Sequence, residues 1–156
     1  LLGKLSMHVV LFQPEIPPNT GSIARLCAAT LTPLHLIEPL GFKIDDRHLK
    51  RAGLDYWQFV DLRVHKSWDE FLGAAPPIQL LYFSKRAVTS YTTARYQEDH
   101  YLVFGPETRG LPQHLLDANS DCSYRIPMAG EDVRSLNLSN AVSIVLYEGL
   151  RQLGKA

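Results

Sequence analysis

Three polar stretches, 17–25 (PPNTGSIAR), 102–112 (LVFGPETRGLP) and 125–141 (RIPMAGEDVRSLNLSNA), hold the residues whose types and spacing could do chemistry. Each follows or completes an apolar run of strand length. Ligands of open α/β sheets gather beyond the carboxyl ends of strands, so the three stretches can converge on one site. In the second, Gly105 and Gly110 let the backbone come close to a flat ligand; Pro127 and the small Ala129–Gly130 pair do the same in the third. Ser135, Asn137, Ser139 and Asn140 place neutral hydrogen-bond groups just ahead of a long apolar segment. A helix cap needs only one of them, so four within six residues favour a polar ligand. In the first stretch Asn19 or Thr20 can cap a helix, and Ile23, Leu26, Cys27, Thr30 and Leu31 follow the i, i+3, i+4, i+7, i+8 rule and face the core. Arg25 then points away from the core and leans back over the free amides near Gly21. A positive helix end, unpaired N–H groups and a bidentate guanidinium together suit a phosphate. A plain surface arginine is the alternative.

The elements that would position these stretches are read from periodicity. Short apolar runs rich in valine, leucine and aromatic residues recur at 8–12, 34–37, 58–62, 78–83, 100–104 and 122–126. Helix-like segments lie between most of them, at 19–31, 45–53, 67–73, 112–117 and 139–153. Strand alternating with helix predicts an α/β domain, its sheet mostly parallel and flanked by helices on both faces. The last segment is apolar around more than one face, through Leu138, Ala141, Val142, Ile144, Val145, Leu146, Leu150 and Leu153. One side can cover the sheet and the other a second subunit, which predicts a homodimer. Asn140, Ser143, Tyr147 and Arg151 form a narrower polar stripe at the edge of that contact.

The 156 residues fit one domain, expected over 7–156, with residues 1–6 as an N-terminal extension. Sixteen basic and sixteen acidic residues cancel, so bulk charge does not announce a nucleic-acid binder and any RNA site is a local patch. Lys43, Arg47, Lys50 and Arg51, mixed with Asp45, Asp46 and Asp55, are one candidate; a solvated helix face is the other reading. No apolar run approaches the ~20 residues that span a bilayer, the start lacks a secretory cleavage pattern, and Cys27 and Cys122 lie far apart. A cytoplasmic protein without membrane contact is expected. No Gly-x-Gly-x-x-Gly, P-loop or Gly-x-Ser-x-Gly motif is present. The six histidines show no metal-pair spacing, so no metal is expected, and His8, His35 and His100 read as structural. Cys27 lies on the core stripe, where a nucleophile does not belong.

The three stretches, together with LHLIEPLGF (34–42) and RAGLDY (51–56), resemble the SPOUT class of RNA methyltransferases over nearly all of 7–154. The likeness is greatest to its smallest members, tRNA 2′-O-methyltransferases of the wobble nucleotide, cytidine or modified uridine at position 34. It implies a C-terminal third threaded into a trefoil knot, S-adenosyl-L-methionine as methyl donor, and the tRNA anticodon stem-loop as substrate. Carried over by residue, it implies cofactor contacts at Phe83, Ser84, Gly105, Glu107, Ile126, Met128, Ser135 and Leu136, with Glu107 ordering its loop. Arg25 matches the catalytic arginine and Asn137 the third-motif asparagine; Asn19, Arg25 and Arg109 would face RNA. The segment YFSKRA (82–87) lacks the threonine-rich, glycine-ended form of close relatives, and CAATLTP (27–33) lacks a glycine near Leu31. Since a guanidinium keeps its proton up to a pKa above ~12, Arg25 would fix the adjacent phosphate and stabilise alkoxide charge rather than act as base. The other readings are a ribosomal RNA 2′-O-methyltransferase and a non-catalytic RNA-binding protein that keeps the knot.

Overall fold

Apolar runs without polar alternation make strands buried on both faces, and such strands form the middle of the sheet. The computed structural model describes residues 6–44, 54–75 and 79–156. Its strands are β1 (His8–Phe12), β2 (Leu34–Ile37), β3 (Leu62–His65), β4 (Leu80–Phe83), β5 (Thr89–Ser90), β6 (Tyr101–Phe104) and β7 (Ser123–Arg125). They join in the order β3-β2-β1-β6-β4-β7-β5, and every pairing is parallel. Among the described residues four α-helices accompany the sheet: α1 (Pro17–Thr30), α2 (Trp68–Ala74), α3 (Gln113–Ala118) and α4 (Leu138–Gln152). Among the described residues no helix is long and apolar enough to cross a membrane.

The two sheet faces bury separate cores. Val9, Leu11, Leu34, Leu36, Leu102 and Phe104 pack against Ile23, Ala24 and Cys27 of α1 and Val142, Val145 and Leu146 of α4. On the opposite face Val10, Phe12, Ile37, Leu80, Tyr82 and Val103 pack against Phe71 of α2 and Leu116 of α3. Phe71 is fully buried, a side chain whose removal from water is worth about 1.5–3 kcal/mol. Helix α2 starts where Ser67 accepts the Glu70 amide at 3.1 Å while the Glu70 carboxylate reaches back to the Lys66 amide.

Several expected elements shift. The run at 58–62 is no strand: residues Leu54–Phe59 form a 3-10 helix, from which Trp57 packs against the first core, and the strand follows at Leu62–His65. That edge strand is half exposed and carries Arg63 and His65, which hid it from an apolar count. β5 is two residues long, too short for a periodic signal. The helix expected at 45–53, with its basic residues, lies outside the described residues. On α1, Leu31 leaves the core stripe: it is the C-cap, with a left-handed φ of 54°, and is 82% exposed, while Ala24 takes the buried place. On α4, Val142, Val145, Leu146 and Gly149 are buried, while Ile144 and Tyr147 are exposed on its other side.

Parallel register also brings together three histidines that are far apart in sequence. His8 Nδ1 lies 2.7 Å from His35 Nε2, and His35 Nδ1 lies 2.8 Å from His65 Nε2, so each pair shares one proton. Phe71 and Tyr101 pack against these rings edge-on or tilted. Burial, with the Arg63 charge nearby, pushes His8 down to about 4; burial, with His8 and His65 beside it, pushes His35 down to about 3. Asp61 opposes these shifts at both rings and Glu70 at His65, but neither outweighs desolvation. The unfolded imidazoles titrate near 6.5, so below that pH the unfolded chain binds more protons than the folded one and stability falls with pH. The melting temperature should therefore drop between about pH 7.5 and about pH 5.5, before most carboxylates titrate. The drop should be shallower in His35→Phe, as thermal melts at both pH values will show.

Candidate functional site

Because β4 lies between β6 and β7, the loops leaving these three strands meet at one end of the sheet. They enclose a cleft of about 590 Å³, within the usual size of small-molecule sites. The β4 exit contributes Phe83 and Ser84, the β6 exit Gly105 and Glu107, and the segment after β7 Ile126, Met128, Ser135 and Leu136. All eight positions expected at the cofactor thus line one cavity, with Asn19, Arg109 and Asn137 on its wall as well. Lys85, Arg86 and Arg134 also line it, and sequence reasoning did not single them out.

The loop after β6 is shaped by its glycines. A Cβ at Gly105 would run into the backbone of Gly110 and Leu111, and Gly110 has a φ of +68°. The Gly110 amide closes the turn onto the Pro106 carbonyl at 2.9 Å. A side chain at either position would displace the cavity wall.

Glu107 then fastens this loop to the start of α1. Its carboxylate accepts the Glu15 amide at 2.8 Å, the Ile16 amide at 2.7 Å and the Asn19 side-chain amide at 3.3 Å. Glu15 returns the contact, accepting the Thr108 amide at 2.9 Å and its hydroxyl at 2.7 Å. These bonds, helped by the Arg109 charge at 3.9 Å, hold the Glu15 carboxyl below the usual carboxylate range. Asn19 extends the network, its carbonyl oxygen accepting from Asn137 at 3.1 Å. Asn137 in turn caps α4, accepting from the Ser139 and Asn140 amides at 2.9 and 3.3 Å. One chain of side chains therefore ties the β6 loop, α1 and the segment before α4 together.

The phosphate seat expected near Gly21 is not formed. α1 begins at Pro17 rather than Asn19, with Ile16 as N-cap and no capping side chain. Pro17 and Pro18 have no N–H, the Asn19 and Thr20 amides bond to the Ile16 carbonyl, and Glu107 already holds the two amides before them. Gly21 is buried inside the helix. Arg25 does point into solvent as expected, but it stands outside the cleft of its own chain, its guanidinium 5.0 Å from the centroid of the Tyr56 ring. Tyr56 belongs to the RAGLDY stretch, yet nothing in its spacing marked it as the partner of Arg25. Arg109 is exposed at the mouth of the cleft, its guanidinium reaching the Gln13 side chain at 3.4 Å. Cys27 is buried and its thiol is pushed up to about 12, unsuited to nucleophilic attack. Among the described residues no cluster of three His, Cys, Asp or Glu side chains could hold a metal ion.

Comparison with known proteins covers the whole of this architecture. The tRNA (cytidine(34)-2′-O)-methyltransferase of Escherichia coli K12 is 51% identical over 149 residues, which is 95% of this chain and 94% of that protein. A solved structure concerned with the 2-OH methylation of C/U34 on tRNA superposes with a TM-score of 0.89 at 51% identity, covering 99% of this chain and 100% of that one. An AdoMet-bound rRNA methyltransferase from Sinorhizobium meliloti superposes with a TM-score of 0.84 at 25% identity, over 97% of this chain and 58% of that one. The SpoU rRNA methylase family model matches residues 6–147, from the start of β1 into α4, and the chain belongs to that family.

Proposed function

We propose that this protein is an S-adenosylmethionine-dependent tRNA 2′-O-methyltransferase acting on the ribose of the wobble nucleotide, cytidine or modified uridine at position 34. The observation that carries the reading is the end-to-end identity of 51% to an enzyme of that name, against 25% to an rRNA methyltransferase. The cytoplasm, where tRNA is modified, is the compartment this reading implies. The trefoil knot belongs to the same reading. Strand order supports it, since β6 runs between β1 and β4, and β7 between β4 and β5, two insertions between strands that precede them in the chain.

The cleft fits the cofactor by its own chemistry. Phe83, Phe104, Ile126, Met128 and Leu136 give an apolar floor for an adenine, and the glycine-shaped backbone at 105–110 gives a close wall. Ser84, Ser135 and Asn137 supply neutral polar groups at its rim. When bound there, S-adenosylmethionine supplies a methyl group on a sulfonium for in-line attack. The protein's part is placement and charge. Glu107 holds the β6 loop in the binding geometry through the start of α1. Asn137 fixes the third wall to Asn19, leaving Asn19 one amide hydrogen for RNA. Arg25 holds the phosphate beside the target ribose and stabilises alkoxide charge as the hydroxyl proton leaves, while keeping its own proton. Because Arg25 stands outside its own cleft, the RNA or a second copy must bring the two together. A homodimer is supported by Ile144 and Tyr147, 37% and 47% exposed on the side of α4 away from the sheet.

Arg25→Ala should lower single-turnover methylation of tRNA by about 100-fold or more, the scale of one preorganised electrostatic donor. Its fold should survive, since Arg25 is exposed and its contact with Tyr56 among the described residues is worth about 0.5–1 kcal/mol. Gly105→Val should abolish S-adenosylmethionine binding in titration calorimetry. Light scattering at micromolar concentration should give about twice the chain mass of 17.6 kDa.

A further inference from the structure

The loop leaving β4 sits between the two walls of the cleft, and two consecutive cations in it reach opposite ways. Ser84 continues the ladder, donating its amide to the Tyr124 carbonyl at 3.0 Å. The chain then turns tightly: the Arg86 amide donates to the Ser84 hydroxyl at 3.1 Å and the Ala87 amide to the Ser84 carbonyl at 3.1 Å. From this turn Lys85 extends to the segment after β7, donating its ammonium to the Arg134 carbonyl at 2.8 Å. Arg86 extends to the loop after β6, donating to the Leu111 carbonyl and, at 2.6 Å, to the Gln113 side chain. Among the described residues neither cation is paired with a carboxylate.

The two walls differ in what else holds them. The β6 loop has its glycine turn and the Glu107 network. The segment 126–136 has no regular structure, and 129–136 is exposed throughout. Among the described residues the Lys85 ammonium makes the hydrogen bond that attaches this segment along its length, with Asn137 anchoring its end. Met128, Ser135 and Leu136 of the segment nonetheless line the cleft. A wall of exposed backbone with so little support needs a strut to stay in place.

We infer that Lys85 and Arg86 are positioning residues for the methyl donor, bracing the facing walls of the cleft, Lys85 the wall at 126–136 and Arg86 the wall at 105–111. The inference rests on the cofactor reading above for its ligand, though not for the strut itself. Each side chain suits its task. A lysine brings a flexible stem and a point charge to a single carbonyl, whereas the planar fork of arginine spans two acceptors at once.

Lys85→Met keeps the length of the side chain and removes its donor; Lys85→Arg keeps a donor. In Lys85→Met the dissociation constant for S-adenosylmethionine, read by calorimetry, should rise about tenfold, the low end for a charge-assisted hydrogen bond. The KM for the cofactor should rise with it, while kcat at saturating cofactor and the KM for tRNA stay near wild type. Trypsin should cut after Arg134 several-fold faster, with an unchanged melting temperature, and Lys85→Arg should restore both readouts. Arg86→Met should weaken cofactor binding without speeding cleavage after Arg134, because it braces the other wall. Wild-type affinity and wild-type cleavage in Lys85→Met would overturn the inference, as would a raised KM for tRNA alone, the mark of an RNA contact. A wild type that fails to bind S-adenosylmethionine would sink the cofactor reading, and the cleavage after Arg134 would still decide the strut.

Discussion

The Glu107 carboxylate is the constraint on which the site depends. It sits in a loop 92 residues from the Glu15 amide it accepts, and it takes that amide together with the next one, just ahead of a helix whose first two residues are prolines. Those amides have no carbonyl partner within a helical turn, and a carboxylate at the positive end of α1 meets both the unsatisfied donors and the dipole. The glycine turn of the β6 loop is thus held to the exit of β1 by charge-assisted bonds, which are stronger than neutral ones. Asn19 and Asn137 extend the same hold to the third wall. The geometry of the cleft is an outcome of how α1 begins.

Behind that network the sheet is a rigid base with different partners on its two faces. The α1/α4 face is aliphatic with aromatic residues toward β4, and α4 carries the Asn137 cap into the cleft. The α2/α3 face holds the aromatic and imidazole stack of His8, His35, His65, Phe71 and Tyr101 at the opposite end of β1 from Phe12. Polar groups buried there satisfy one another rather than a ligand, as buried polar groups generally do. The sheet therefore separates this polar cluster from the one that lines the cleft.

What the sequence revealed follows the range of the physics involved. Helical periodicity is local, and α2, expected at 67–73, lies at Trp68–Ala74, within a residue at each end. The middle strands read clearly because both of their faces are apolar, whereas β3, with Arg63 and His65 on an edge, did not. The glycine loop at 105–110 was legible as a close-packed turn, because only a close backbone approach demands such residues, and it does line the cleft. The histidine stack was not, since His8 and His35 meet only through the register of β1 against β2. The reach of Glu107 to Glu15 and Ile16 was equally hidden, and the local rule that assigns a helix cap to the nearest polar residue pointed to Asn19 or Thr20 instead. Lys85 and Arg86 looked like a departure from a pattern, and their role depends on which strands flank β4.

The wholly parallel sheet has a consequence for how the molecule comes into being. Each pairing joins residues separated by at least one crossover; Val9 meets Leu102 across most of the chain. No hairpin can nucleate such a sheet, so loop-closure entropy must be met before any long-range contact repays it, and formation is expected to be slow. The pocket is drawn from the end of β4, the loop of β6 and the approach to α4, so it cannot exist on the ribosome until nearly the whole chain has emerged. A chain arrested before residue 126 has the β4 and β6 walls of the pocket and nothing to close it.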